Sequence, residues 1–119
     1  LSFLHANAEK IPLQTEQVDI ISCVYLFHEL PRDVRRKILI EIFRVLKPGG
    51  LFILEDSCQL SDSPDIVETL GRFPQEYHEP YYKDYLRDDL VYAMVQTGFT
   101  RPDISLHYLS KIWAARKPV

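Results

Sequence analysis

Residues Val18 to Glu55 read VDIISCVYLFHELPRDVRRKILIEIFRVLKPGGLFILE. The apolar run Asp19 to Leu26 is nearly continuous (Ile20, Ile21, Cys23, Val24, Tyr25, Leu26) rather than alternating. That pattern fits a strand covered on both faces, as in a parallel α/β sheet. Arg32 to Lys47 follows with Val34, Ile38, Leu39, Ile42, Val45 and Leu46 on one helical stripe, while Arg35, Arg36, Glu41 and Arg44 populate the remainder. Pro31 or Asp33 marks the start of that helix, and Lys47 suits the negative pole at its end. Pro48-Gly49-Gly50 stops it, and Leu51 to Leu54 forms the next core strand, ending in Glu55-Asp56-Ser57. The stretch is therefore a strand–helix–strand unit, and a right-handed crossover places its helix on one face of a parallel pair.

The flanks extend the same architecture. Leu1 to Asn7 reads as a strand, and Ala8 to Pro12 as a loop, since Pro12 biases Ile11 away from helix. Ser63-Pro64-Asp65 opens a short helix running to about Leu70. Phe73 to Tyr85 (FPQEYHEPYYKDY) holds neither period cleanly and reads as a loop with marginal helix. Asp88 or Asp89 caps a further helix carrying Leu90, Val91, Met94 and Val95, which Gly98 ends. Asp103 to Tyr108 and Lys111 to Arg116 are separated by so few residues that they pair as an antiparallel hairpin.

Composition narrows the functional classes. The chain has 119 residues, 46% hydrophobic and 26% charged, which suits one globular domain at most. A net charge of −3 without a basic run argues against indiscriminate nucleic-acid binding. No apolar run approaches the roughly 20 residues of a membrane span. Cys23 and Cys58 sit in or beside apolar runs and read as free thiols, which fits a cytoplasmic or other reducing intracellular compartment. The pairs His28-Glu29 and His78-Glu79 lack metal-site spacing, so no metal is expected. The opening Leu1-Ser2-Phe3-Leu4, without methionine, reads as the interior of a longer protein.

In such sheets ligands bind beyond the carboxyl ends of the strands, which here are Asn7 to Glu9, Cys23 to Glu29 and Glu55 to Cys58. Four pieces line up around those ends: Ala8-Glu9-Lys10-Ile11-Pro12, Val18-Asp19-Ile20-Ile21, Phe27-His28-Glu29-Leu30 and Arg44-Val45-Leu46-Lys47-Pro48-Gly49-Gly50. Together they resemble class I S-adenosylmethionine-dependent methyltransferases of the UbiE/methyltransferase-11 type, and the resemblance covers essentially the whole chain. It implies an α/β, Rossmann-like methyltransferase sheet of family order 3-2-1-4-5-7-6, truncated here. The first two strands, with the Gly-rich loop and the ribose-binding acid, are missing, and residues 1–119 form a single partial domain with a C-terminal antiparallel hairpin. The missing strands leave a gap of about 14 Å between Leu1–Asn7 and Asp19–Leu26, from three strand spacings. The exposed edge at 19–26 is then expected to self-associate or repack, giving a possible homo-oligomer.

The resemblance also distributes roles. S-adenosyl-L-methionine is the implied cofactor and a small molecule the implied methyl acceptor. Asn7 and Ala8 fall where the family meets the adenine, with the Asn7 carbonyl oxygen as acceptor for the amino group. Cys23, Val24 and Phe27 fall along the cofactor wall. His28 falls where a general base or substrate contact stands, and a plain polar strand exit is the alternative. Glu29, Tyr77, His78, Tyr81 and Tyr82 are candidate acceptor contacts, or the packed underside of a loop. The chain alone is not expected to catalyse. Competing readings are a non-enzymatic α/β half-domain or degenerate relative acting by association, and a nicotinamide-dependent oxidoreductase, against which the Lys-Pro-Gly-Gly turn argues.

Overall fold

The structure, a computed structural model, describes residues 7–62 and 80–119. Its sheet has four strands: β1 (Val18–Val24), β2 (Leu46–Ser57), β3 (Asp103–His107) and β4 (Ser110–Arg116), in the order β1-β2-β4-β3. β1 and β2 are parallel, with Ser22 opposite Ile53 and Val24 opposite Glu55. β4 is antiparallel to both β2 and β3. This is the right-hand part of the expected order, strands 4-5-7-6. The expected strand 1–7 and the expected helix from Ser63 to Leu70 lie outside the described residues, apart from Asn7.

Helix α1 (Arg32–Val45) joins the parallel strands and buries Ile38, Leu39, Ile42 and Val45. The expected end at Lys47 moves back, because Leu46 leaves the helix and begins β2. Lys-Pro-Gly-Gly is thus a bulge within β2, between the Val18–Leu46 and Ile20–Leu51 pairs, rather than a free stop. Gly49 takes φ +82°, and a Cβ on Gly50 would sit 2.8 Å from the Lys47 carbonyl oxygen and 3.1 Å from that of Asp19. Backbone bonds from Gly49 N–H to Lys117 O (2.7 Å) and from Lys117 N–H to Gly50 O (2.9 Å) stitch this arch to the end of β4. Lys117 also caps α1, donating to the carbonyls of Phe43 (2.9 Å) and Leu46 (3.0 Å). Lys47, expected in that role, instead lies 3.6 Å from Asp19 on the surface.

Two further helices complete the layer: α2 (Tyr82–Arg87) and α3 (Leu90–Thr97). The first falls at the end of Phe73 to Tyr85, expected as a loop with marginal helix, and is helical from Tyr82. Its apolar positions Tyr82, Tyr85 and Leu86 recur at helical spacing, and each is 2% exposed or less. Density of aromatics had concealed an ordinary amphipathic turn. Asp89 caps α3 by accepting the Tyr92 N–H at 2.9 Å, and Gly98 ends it with φ +126°.

α1 and α3 contact one another, and the buried Phe52, Leu54 and Trp113 of the sheet join α1, α2 and α3 residues in one core. Each fully buried side chain of this size contributes about 1.5–3 kcal/mol. Because the register pairs Leu54 with Trp113 and Phe52 with Ala115, these residues share a face.

A second correction concerns α1's polar side. Arg35, expected outside, is fully buried. It bonds Asp88 (Nε to Oδ2, 3.0 Å) and Asp84, while Arg36 also holds Asp88 in a fork. Asp88 is itself fully enclosed. A buried guanidinium between two carboxylates ties α1 to α2.

Candidate active site

The site lies at the carboxyl ends of β1 and β2. β1 ends at Val24, two residues before the expected Leu26, because Tyr25 adopts φ +52° and turns the chain. A non-glycine residue in that region is held there by its surroundings. The Tyr25 N–H donates to Glu55 O at 2.8 Å, its hydroxyl bonds Ser110 Oγ, and a one-turn 3-10 segment (Phe27–Glu29) follows.

Asp56 is the centre of this turn. Burial alternates along β2, so Phe52, Leu54 and Asp56 face inward while Ile53 and Glu55 are half-exposed. The Asp56 carboxylate is fully buried and receives the Phe27 N–H (2.9 Å), the Ser57 N–H (2.8 Å), a longer contact from the His28 N–H (3.4 Å) and His28 Nδ1 (2.7 Å). A buried carboxylate is tolerated when its lone pairs are filled in this way. Arg35 supplies the complement, donating to the carbonyls of Phe27 and Leu30. Two buried charges of opposite sign thus hold the N–H and C=O groups of one short turn.

His28 keeps 11% of its side-chain exposure. Its ring meets those of Tyr82 (5.6 Å), Tyr85 (6.3 Å) and Tyr25 (6.4 Å) edge-on, and Glu29 Oε1 lies 3.8 Å from Nε2. Tyr85 donates its hydroxyl to Ser57 O, and Gln59 pins the end of α2 through the carbonyls of Tyr85 (2.8 Å) and Asp88 (2.6 Å). Desolvation, with Asp56 and other acidic neighbours adding to it, pushes the Tyr85 phenol well above its usual value. It is a neutral donor and wall rather than a base.

A separate groove of about 440 Å³ runs along β1, lined by Ala8, Ile11, Ile21, Ser22, Cys23, Val24 and Leu26, with Ile38 and Ile42 of α1. It brings together three of the expected cofactor residues: Ala8, Cys23 and Val24. Asn7 stands at the surface, and its Oδ1 accepts the Glu9 N–H at 2.9 Å, closing a local turn. Phe27 is fully buried in the core rather than in this groove. Tyr82 is likewise a core residue, 1% exposed, while Tyr81 is 42% exposed ahead of α2. Tyr77 and His78 lie outside the described residues. Burial, with Asp56 adding to it, raises the Cys23 thiol to about 11, so it is a wall group rather than a nucleophile.

Asp56, Tyr25 and Tyr85 were not singled out as site residues in the sequence, although Glu55-Asp56-Ser57 was marked as a strand end. The signal that finds Asp56 is the register: Val24 opposite Glu55 sets the next residue beneath the β1 exit. No group of three or more metal-ligating side chains occurs among the described residues. None of the described helices is long and apolar enough to cross a membrane.

The sheet order and the turn at the β1 exit define a class I methyltransferase fold. Residues 1–54 match the methyltransferase domain family. An uncharacterized protein of Haemophilus influenzae is 34% identical over 80 residues, covering 66% of this chain and 32% of that protein. An uncharacterized methyltransferase of Bacillus subtilis, YcgJ, is 35% identical over 78 residues, covering 64% and 30%. A solved SAM-dependent methyltransferase from Methanosarcina mazei superposes with TM-score 0.66 at 18% identity, covering 96% of this chain and 66% of that one. The chain thus has the fold of class I methyltransferases, and its first 54 residues are similar to the methyltransferase domain family. It spans about a third of the length of the two curated relatives.

Proposed function

We propose that this chain is the C-terminal part of an S-adenosylmethionine-dependent methyltransferase acting on a small-molecule acceptor. The observation that carries this is the pairing of an apolar groove at the β1 edge with a built His28–Asp56 site at the adjoining strand ends. When bound, the cofactor supplies an electrophilic methyl group on a sulfonium. The groove suits its adenine end, being apolar and of ligand size. Ala8, Cys23 and Val24 form that wall, and Asn7 Oδ1 retains a second lone pair for an amino hydrogen beside its bond to Glu9. Among the described residues the groove lining carries no charged side chain, so the ribose and the methionine carboxylate would be held by residues outside this groove. Glu29 and Tyr81, both exposed, are candidate acceptor contacts, with Tyr77 and His78 as further candidates; Phe27 and Tyr82 support the site from the core. Free thiols at Cys23 and Cys58 support work in a reducing compartment.

Titration calorimetry with S-adenosylhomocysteine tests the reading on two samples. This chain should show no saturable micromolar heat, and the full-length protein should show it. Absence of binding in the full-length protein refutes the methyltransferase assignment. One observation favours association as a second reading: Ile20 and Val24 of β1 are 64% and 58% exposed. Light scattering decides it. A dimer lost on Ile20→Lys supports pairing through strand 19–26, and a monomer at all concentrations removes it.

A further inference from the structure

We propose that Asp56 is a positioning residue for His28: it holds the imidazole as the Nδ1–H tautomer and so makes Nε2 the nitrogen that takes a proton from the methyl acceptor. The proposal rests on the methyltransferase reading for its chemistry but on separate observations for its geometry. An ionised carboxylate only accepts hydrogen bonds. Oδ2 of Asp56 already holds the Phe27 N–H and Oδ1 the Ser57 N–H, so the imidazole nitrogen 2.7 Å from Oδ1 is the donor. The other nitrogen then carries the lone pair, since the partner of one ring nitrogen sets the state of the other.

The surroundings fit a base that gains and loses a proton. Nε2 has the Glu29 carboxylate 3.8 Å away, on a side chain that is 56% exposed. Among the described residues, Tyr25, Tyr82 and Tyr85 also stand around the ring. In the proposed step the acceptor's proton moves to Nε2 and both electrons of its bond stay on the acceptor atom. The resulting imidazolium lies between Asp56 on Nδ1 and Glu29 near Nε2, and the proton leaves to solvent as the product departs. The Asp56 bonds to the Phe27 and His28 N–H groups keep the ring from swinging away, so one carboxylate sets both tautomer and orientation.

The test is the imidazole nitrogen spectrum of the whole chain labelled with ¹⁵N-histidine. The sequence has four histidines, so His28→Gln identifies the His28 signals by their loss. In the neutral form, wild-type protein should show the Nδ1–H pattern at His28. Asp56→Asn, which can place its amide N–H against Nδ1, should convert it to Nε2–H. A wild-type spectrum dominated by Nε2–H overturns the proposal even if Asp56→Asn does not fold. So does a folded Asp56→Asn protein that keeps the wild-type tautomer. These spectra need no cofactor, so failed S-adenosylhomocysteine binding sinks the methyltransferase reading and with it the proton transfer from a methyl acceptor, whereas a wrong tautomer overturns the Asp56 role alone.

Discussion

Replacing Arg35 tests both the packing and the support of the site. Its guanidinium is fully buried, bonds Asp88 and Asp84, and donates to the carbonyls of Phe27 and Leu30. Arg35→Met fills similar volume but leaves the enclosed Asp88 short of one partner. Breaking a buried pair from one side costs about 3–5 kcal/mol. Arg36 stays on Asp88 from a side chain that is 32% exposed, so the lower end, about 3 kcal/mol, is expected. With a urea slope of about 1–3 kcal/mol per molar, the unfolding midpoint should fall by about 1–3 M. Urea titration followed by circular dichroism measures both proteins. A variant within about 0.3 M of the parent refutes the buried-pair account.

The same network sets an acid limit. Burial works against the Asp84 charge, but Arg32 and Arg35 outweigh it and hold the carboxyl below its usual range. A depressed acid stabilises the fold above the ordinary value near 3.9 and loses that contribution as pH falls through the folded value. Stability should therefore drop below about pH 4, and less steeply in Arg35→Met; equal slopes would count against the coupling. Cys23, at about 11, should react with iodoacetamide at pH 8 roughly a hundredfold more slowly than a free cysteine peptide, and a rate within a few-fold would show that the thiol is not held in this wall. Gly50→Ala should cost about 2 kcal/mol or more, because its Cβ meets backbone oxygens that cannot yield. Gly49→Ala should cost about 1–2 kcal/mol for its positive φ, the nearest contact being a side chain at 3.6 Å. Gly50→Ala as stable as the parent by thermal melt would show that the arch is looser than drawn.

What could be read in advance follows the range of each interaction. The strand–helix–strand unit is written in neighbours three or four residues apart and in a Pro-Gly-Gly turn, so its order and hairpin partner were legible. Helix α2 was not, because three tyrosines in five positions (Tyr81, Tyr82, Tyr85) resemble a sticky loop until Tyr82, Tyr85 and Leu86 are placed on one buried face. Arg35 misled for a different reason. On a helical wheel it belongs to the polar side, and only Asp88, 53 residues on, turns that side into an interior. Asp56 likewise reaches His28 across 28 residues, a distance that periodicity cannot see but parallel register can.

These two hidden acids are linked through the turn that presents His28. A 3-10 turn leaves several backbone groups without partners of its own, and burying it would cost about 1–3 kcal/mol for each unsatisfied group. Here Asp56 takes its N–H groups from the β2 side and Arg35 its carbonyls from the α1 side. Arg35 is in turn fixed by Asp84 and Asp88 of the α2 region. The ring of His28 is thereby referenced to a strand, a helix and a second helix at once, with Tyr25, Tyr82 and Tyr85 limiting its rotation. A histidine that served only as a polar strand exit would need none of this, since solvent would satisfy both nitrogens. Burial of a matched Asp–His pair under three aromatic rings is a costly way to end a strand, and it supplies the fixed ring direction that the proposed role of His28 requires.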